Sequence, residues 1–532
     1  MATKNDRTEA PPERTGGERA ACPIPRMYDG GRTEAARFLV MGNVDSGKTS
    51  LIGVLGRNVL DDGKGYARSL IVTLQHEIDT GRTSSHAHHY IVQNNRITTL
   101  IDLCGHEKYF KTTMFGVTGL FGDYGIVVVG ANMGVQAMTR EHIMLLIANR
   151  IPFIIVVTKI DICPAHIMCV IEKDLNRIAQ RNKRTAMWFK DEVVCDSPEV
   201  MEQTSTVVSS FQAGSTTFMP IIVLSNKTGH NIPFVRKLLT TLDPRVTVDP
   251  FVTMLASSEL TTTAPEPGGD MIPITLPVQP PTVFFIDNVY SVPGIGVVLS
   301  GTNRFGSIGL GQKLYLGPIR SNYISLTVRS LRNCIDETVT TLKQNESGSV
   351  GIRLETKGAF TKETFRKGQV LIADLLFALA HTCYSFNCDV AVFNHQTTIR
   401  NGYQSIIHCQ TVRQVAKFAL DSEMLLRSNS KQNINAKFLL RPEFILPGHL
   451  FMFRDGRTKG MGRINSIIPF QQDRPDPLPS STRGRRVAPK TLAPLDPSVR
   501  NKRRQRLHAL DMKRLETGTT QSKATVQPKS KK

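Results

Sequence analysis

The stretch Phe38-Leu39-Val40-Met41-Gly42-Asn43-Val44-Asp45-Ser46-Gly47-Lys48-Thr49-Ser50-Leu51 decides the fold. Four apolar residues, Phe38 to Met41, run into a loop with glycines at 42 and 47, and an apolar helical pattern begins after Thr49. Gly42, Asn43, Val44, Asp45, Ser46, Gly47, Lys48 and Thr49 fit G-x-x-x-x-G-K-[ST] at every fixed position, between a predicted strand and a predicted helix. Such a loop turns backbone N–H groups inward around phosphates, and the following helix adds its positive end. Lys48 is expected to reach the β- and γ-phosphates and Thr49 to place its hydroxyl on Mg²⁺. An eight-residue pattern also occurs by chance, so its surroundings must carry the reading.

Outward from the loop, Arg37 to about Leu242 alternates short apolar runs with helical patterns, which predicts an α/β domain with a largely parallel sheet. The strand candidates are RFLVM, HYIVQ, ITTLIDL, YGIVVVGA, FIIVVTKID and PIIVLSN, and Asn94-Asn95 predicts a hairpin between the second and third. TREHIMLLIANR and NIPFVRKLLTTL read as amphipathic helices. Three further motifs fall at predicted strand ends, where α/β sheets bind ligands. In DLCGH, Asp102 is suited to hold Mg²⁺ and the Gly105 N–H to sense the γ-phosphate. In Thr158-Lys159-Ile160-Asp161, the Asp161 carboxylate matches the two N–H groups of guanine's Watson–Crick edge, which adenine does not offer, while the Lys159 stem covers the base. Ser225, Asn226 and Lys227 complete the guanine pocket through their backbone. Each piece alone is an ordinary surface tetrapeptide; in this order they predict a guanine-nucleotide hydrolase whose ligands are GTP and Mg²⁺.

The chain has 532 residues, more than one core usually supports. We expect a polar leader over 1–36, a GTP-binding domain over 37–245, a linker over 246–280, two β-barrels over 281–375 and 376–470, and a basic disordered tail over 471–532. The barrels rest on alternating apolar residues with frequent glycines, as in GIGVVLSGTNRFGSIGLGQKLYLG. The charge balance of 66 Lys and Arg against 45 Asp and Glu gives +21, and the tail, with 16 against 5, holds about +11 of it. That favours polyanions, RNA above all, with solubility as the plainer alternative. The tail motifs RGRR and NKRRQR read as RNA-phosphate contacts or a nuclear import signal, against an unspecific solvated tail. Nothing indicates DNA specificity. Nine scattered cysteines without CxxC spacing argue against a disulfide framework or structural zinc. No apolar run is long enough to cross a bilayer and the leader lacks a signal-peptide core, so a cytoplasmic protein without a membrane partner, working as a monomer, is expected.

The motifs GNVDSGKT, GRTSS, DLCGHEKYFKTT and TKIDICP, with DNVYSVPGIGVVLSGT and FMFRDGRTKGMGRI further on, resemble the translational GTPases related to the elongation factor that carries aminoacyl-tRNA, and within them the subfamily called GTP-binding protein one and two. The resemblance spans roughly residues 37 to 470. It implies a P-loop GTPase domain followed by two β-barrel domains, with the ribosome and tRNA or other RNA as partners. It makes His106 the residue that orients the attacking water, with Lys48 and Asp45 beside it at the phosphates, and makes Thr83 the switch threonine that joins Thr49 and Asp102 on Mg²⁺ while GTP is bound. Read from the residues alone, His106 either reaches that water or merely caps the next helix.

Three positions depart from the family pattern. Thr158 stands where an Asn is usual, Arg82 where an apolar residue precedes the switch threonine, and Cys104 where a Pro separates Asp from Gly. Guanine choice is expected to survive through Asp161, and control of hydrolysis to differ, since Val44 alone remains to screen His106. No arginine finger is evident in the sequence. The segment SSHAHHY places His86 and His88 on one face of a strand, read here as solvated and not as a metal site. Three roles remain open: elongation-type hydrolysis on the ribosome, rescue or surveillance through a protein cofactor, and a GTP-regulated RNA-binding scaffold with little turnover.

Overall fold

The structure, a computed structural model, describes residues 32–80, 83–192, 197–245, 250–252, 261–265, 271–275, 281–319, 322–354, 364–394, 398–420, 425–428, 430–455 and 458–469. The leader before residue 32, most of the linker, Arg82 and the basic tail lie outside the described residues.

The first part holds β1 (Thr33–Gly42), α1 (Lys48–Arg57), α2 (Tyr66–Ser69), α3 (Gln75–Thr80), β2 (Ala87–Gln93), β3 (Arg96–Asp102), α4 (Phe110–Gly119), β4 (Tyr124–Gly130), α5 (Ala137–Ala148), β5 (Phe153–Thr158), α6 (Ala165–Arg181), β6 (Thr185–Phe189), α7 (Pro198–Gln212), β7 (Phe218–Val223) and α8 (Ile232–Thr241). The seven strands lie in the order β2-β3-β1-β4-β5-β7-β6, parallel except for β2. Alternation along the strands divides the core. Phe38, Val40, Ile126 and Val128 face one helix layer; Leu39, Met41, Val127 and Val129 face the other. Both faces are buried, which is why these strands read as continuous apolar runs.

Asn94 and Asn95 both have positive φ, 48° and 60°, as a tight two-residue hairpin requires. Two expectations change. β1 begins at Thr33, inside the expected leader, because Thr33 and Glu34 pair with Arg96 and Ile97 of β3; the partner strand, not the propensity of Thr-Glu-Ala-Ala, makes it extended. β6 was not anticipated.

Within the expected linker, β8 (Thr261–Pro265) and β9 (Met271–Thr275) pair antiparallel, and Phe251 is buried against Phe377 and Val283. Part of that stretch is therefore ordered structure. Then follow β10 (Val283–Val292), β11 (Gly296–Phe305), β12 (Ile308–Gly309), β13 (Lys313–Ile319), β14 (Asn322–Asn333), β15 (Thr341–Leu342), β16 (Ser347–Leu354) and β17 (Val370–Ile372). Six of them close a barrel in the order β10-β11-β16-β14-β13-β17. The last set is β18 (Thr382–Asn394), β19 (Gln404–Cys409), β20 (Val412–Ala419), β21 (Lys431–Phe438), β22 (Glu443–Phe444), β23 (Leu450–Asp455) and β24 (Thr458–Pro469). Here β21 also pairs with β18, closing a second six-stranded ring, and β22 adds to β18.

Buried polar groups join the α/β domain to the first barrel. The Arg37 guanidinium donates to Thr302 Oγ1 (3.1 Å), Ser347 Oγ (3.0 Å) and the Asn345 carbonyl (2.5 Å). Glu34, 3.6 Å from Arg37 Nε, accepts from the Ser347 N–H at 2.6 Å and from Thr99 Oγ1 at 3.1 Å. The second barrel grips α4 and α5: Thr118 Oγ1 donates to the Gln410 carbonyl, Arg454 lies 4.2 Å from the Phe110 ring centroid, and Lys459 pairs with Glu141.

Candidate functional site

The loop after β1 sits at the carboxyl ends of the parallel strands. Gly47, at φ 85°, is the N-terminal boundary of α1, and Asp45 also takes positive φ, 58°. These left-handed turns aim successive N–H groups at one point. Ser46 Oγ donates to the Asn43 carbonyl at 2.9 Å and Lys48 Nζ to the same oxygen at 2.7 Å. Lys48 is buried, and desolvation holds its pKa below the usual lysine value despite the nearby Asp102. A buried ammonium whose one recorded acceptor among the described residues is its own loop's carbonyl is poised to take a phosphate instead.

The three expected metal ligands converge. Thr49 Oγ1 donates to Asp102 Oδ2 at 2.8 Å and lies 3.2 Å from Thr83 Oγ1, which is 3.4 Å from the same carboxylate oxygen. Neighbouring ligands of an octahedral Mg²⁺ with bonds of about 2.1 Å stand about 3.0 Å apart. Asp102 Oδ1 is buried without a hydrogen-bond partner, and burial pushes its carboxyl above the ordinary range. Hard oxygens this close, with an orphaned carboxylate atom, fit a small divalent cation.

Gly105 comes closer to the loop than any side chain would allow. An added Cβ would lie 2.5 Å from Lys48 Nζ and 2.7 Å from the Gly42 carbonyl oxygen. His106 is half-buried, and its Nδ1 accepts from the Lys108 N–H at 3.1 Å, so it does cap the short helical turn Glu107–Tyr109. In the neutral ring the proton then sits on Nε2, the nitrogen left to face a ligand. Cys104, in place of the usual Pro, donates its thiol to the Ser85 carbonyl at 3.5 Å and leaves Asp102 in position.

The base-end motifs also come together, with one change of role. Thr158 is buried, and its hydroxyl donates to the Ser46 carbonyl at 2.7 Å, a strut between β5 and the phosphate loop. Lys159 Nζ reaches across to the Asp45 carbonyl at 2.7 Å. Asp161 is exposed, and its Oδ1 accepts from Ser225 Oγ at 2.7 Å; that oxygen in turn takes the N–H groups of Lys227 and Thr228. The side chain of Asn226 lies behind Gly47, and its Oδ1 is buried without a partner.

Val44, Asp45, Gly47, Lys48, Thr49, Thr83, Gly105, His106 and Lys159 line one cleft of about 350 Å³, within the range of small-ligand sites. Sequence reasoning missed Asp61, Gly63, Lys64, Gly65 and Arg68, which also line it. The run DDGKG after α1 was the available signal, two acids that cap a turn beside two glycines. The histidines at the start of β2 need correction. They are half-buried and not freely solvated: His86, just before the strand, lies 5.9 Å from the Phe115 ring, its Nδ1 is buried, and desolvation pulls His86 and His88 down to about 4. No group of three or more His, Cys, Asp or Glu suited to a metal occurs among the described residues.

Residues 33–256 match the family described as elongation factor Tu GTP binding domain. That match takes in the whole α/β domain from β1 to α8. It is 32% identical over 458 residues to GTP-binding protein 1 of Xenopus laevis, covering 81% of this chain and 63% of that relative, so it spans less than two thirds of that protein's length. Among solved structures, the S. cerevisiae Ski7 GTPase-like domain bound to GTP aligns with TM-score 0.59 at 14% identity, covering 82% of this chain and 97% of that one. Elongation factor SelB from Methanococcus maripaludis, in complex with the GTP analogue GppNHp, aligns with TM-score 0.54 at 16% identity, covering 82% and 80%.

Proposed function

We propose that the chain binds GTP with Mg²⁺ and hydrolyses it to GDP and phosphate as a monomeric, cytoplasmic factor acting on a ribosome, with tRNA or other RNA as a further partner. The observation that carries this is the meeting of Lys48, Thr49, Thr83, Asp102, Gly105 and His106 around one cleft. Lys48 exchanges the Asn43 carbonyl for phosphate oxygens, a charge-assisted contact that offsets its burial. Thr49, Thr83 and Asp102 would hold Mg²⁺, which when bound would neutralise phosphate charge. The Gly105 N–H donates to the γ-phosphate, and His106 orients the water by donating from Nε2. The water oxygen forms a bond to the γ-phosphorus as the bond to the bridging oxygen breaks, and the proton leaves with inorganic phosphate. Asp161, with Ser225, Asn226 and Lys227, selects guanine; Thr158 stiffens the loop without reading the base. The ribosome and the family's RNA partners supply the remaining acceleration, since related domains alone turn over at only about 10⁻⁴ s⁻¹.

One experiment tests nucleotide, metal and partner together: fluorescent GTP, GDP, xanthosine triphosphate and ATP binding by the full chain, with and without EDTA and ribosomes, followed by phosphate release. Tight GTP binding that is lost in EDTA, weak ATP binding, and a shift of Asp161→Asn toward xanthosine triphosphate are expected. Equal GTP and ATP affinity would overturn the reading. A second reading, GTP held with little turnover, draws on the engagement of His106 Nδ1 in capping. Unchanged ribosome-stimulated phosphate release in His106→Ala would favour it over catalysis by His106.

A further inference from the structure

Arg68 belongs to no nucleotide motif, yet it lines the cleft with Thr83, Gly105 and His106. The short helix α2 that carries it is fixed in place. Asp61 Oδ1 accepts from the Ala67 N–H at 2.9 Å, and Asp62 Oδ1 accepts from the Lys64 and Tyr66 N–H groups at 2.7 and 3.0 Å. Ala67 is fully buried against Gly53 of α1, where an added Cβ would stand 2.2 Å from the Ala67 carbonyl oxygen. α2 therefore rides directly on the helix whose first residue is Lys48.

The guanidinium of Arg68 is anchored at one point: Nη2 donates to the Glu77 carbonyl at 3.1 Å. Among the described residues no carboxylate pairs with it. Its guanidinium instead shares the cleft with Lys48, Thr83, Gly105 and His106. Glu77 itself is buried, and its Oε1 accepts from the backbone N–H and hydroxyl of both Ser84 and Ser85, next to Thr83. Arg68 is thus tied through one residue to the segment that carries the third metal ligand.

We propose that Arg68 is a catalytic arginine supplied in cis, its free guanidinium N–H groups donating to the non-bridging oxygens of the terminal phosphate as the bond to the leaving GDP breaks. The guanidinium transfers no proton; it takes up charge that builds on the phosphoryl oxygens. The planar fork, and not the charge alone, is what the step needs. This rests on the reading of the cleft as a GTP hydrolase.

The test is ribosome-stimulated single-turnover GTP hydrolysis by the full chain, with GDP affinity and binding of GDP with aluminium fluoride measured on the same samples. Arg68→Ala is expected to lose about 10³-fold in rate, to keep GDP affinity within threefold, and to fail to capture GDP–aluminium fluoride. Arg68→Lys should recover little, whereas millimolar guanidinium should partly restore Arg68→Ala. A rate within threefold of wild type, or a loss of GDP affinity as large as the loss of rate, would overturn the proposal and leave the hydrolase reading standing. A wild-type protein that does not cleave GTP, with or without ribosomes, would overturn both.

Discussion

Single residues set the site, and their legibility followed how local their work is. The phosphate loop was readable because glycine, lysine and threonine act within eight residues. Arg68 was not, because its place depends on α2 folding back onto α1. Likewise the Thr158 hydroxyl contacts the Ser46 carbonyl, 112 positions away, which no local pattern announces. At Gly105, substitution by Ala would press a methyl against the Gly42 carbonyl oxygen and the Asn43 carbonyl carbon, both main-chain atoms that cannot swing aside. A strain of about 1–3 kcal/mol should lower GTP affinity about 5- to 150-fold while GDP, which lacks the group Gly105 meets, binds nearly as before; titrations of wild type and variant with both nucleotides read this directly. His142 makes a different prediction. It is buried against Phe110 with neither ring nitrogen hydrogen-bonded, and burial pulls it from 6.5 to about 3. The folded ring stays neutral while the unfolded one takes a proton below pH 6.5, so stability is intact above pH 7 and falls as the pH drops from 6.5 toward 3. At pH 5 this one group costs about 2 kcal/mol. Urea midpoints at pH 7.5 and 5 should move less in His142→Phe than in wild type.

At the level of elements, five of the seven sheet strands that begin this chain were legible as apolar runs, and β2 through its asparagine turn. One, β6, escaped notice because Thr185–Phe189 is five residues set among Arg and Lys, and joins only at the end of the sheet beside β7. The β2 histidines were misjudged for a related reason: polar residues on an edge strand look solvated until another layer covers them. Element α3 carries the clearest test. Its Glu77 holds four donors from Ser84 and Ser85 on one oxygen. Glu77→Ala should free the segment around Thr83, so that Mg²⁺-dependent GTP affinity drops about tenfold, roughly 1.4 kcal/mol, while GDP affinity holds. Hydrogen exchange at residues 83–85 should rise in the same variant, and unchanged exchange would show that the carboxylate is not the anchor.

Across the whole molecule, the sequence announced two barrels but not how they are fastened. Glu34, within the expected leader, and Arg37, the first residue of the first strand candidate, lie fourteen residues or fewer from the lysine of the phosphate loop, yet their side chains reach Thr302, Asn345 and Ser347, about 300 positions along the chain. Arg37→Met would leave the Glu34 carboxylate buried without its cation, which typically costs 3–5 kcal/mol. Chemical denaturation should show that loss, and adding Glu34→Gln should return part of it; if Arg37→Met alone changed the midpoint little, the junction would not be a point of strength. The second ring carries a consequence for how such a chain is made. β24 pairs with both β18 and β23, so the last described strand to emerge from the ribosome is also the seal of that ring. A nascent chain stopped before residue 458 would present two open strand edges at once, a template for pairing with its neighbours, and its fate would be decided by how quickly the remaining dozen residues arrive.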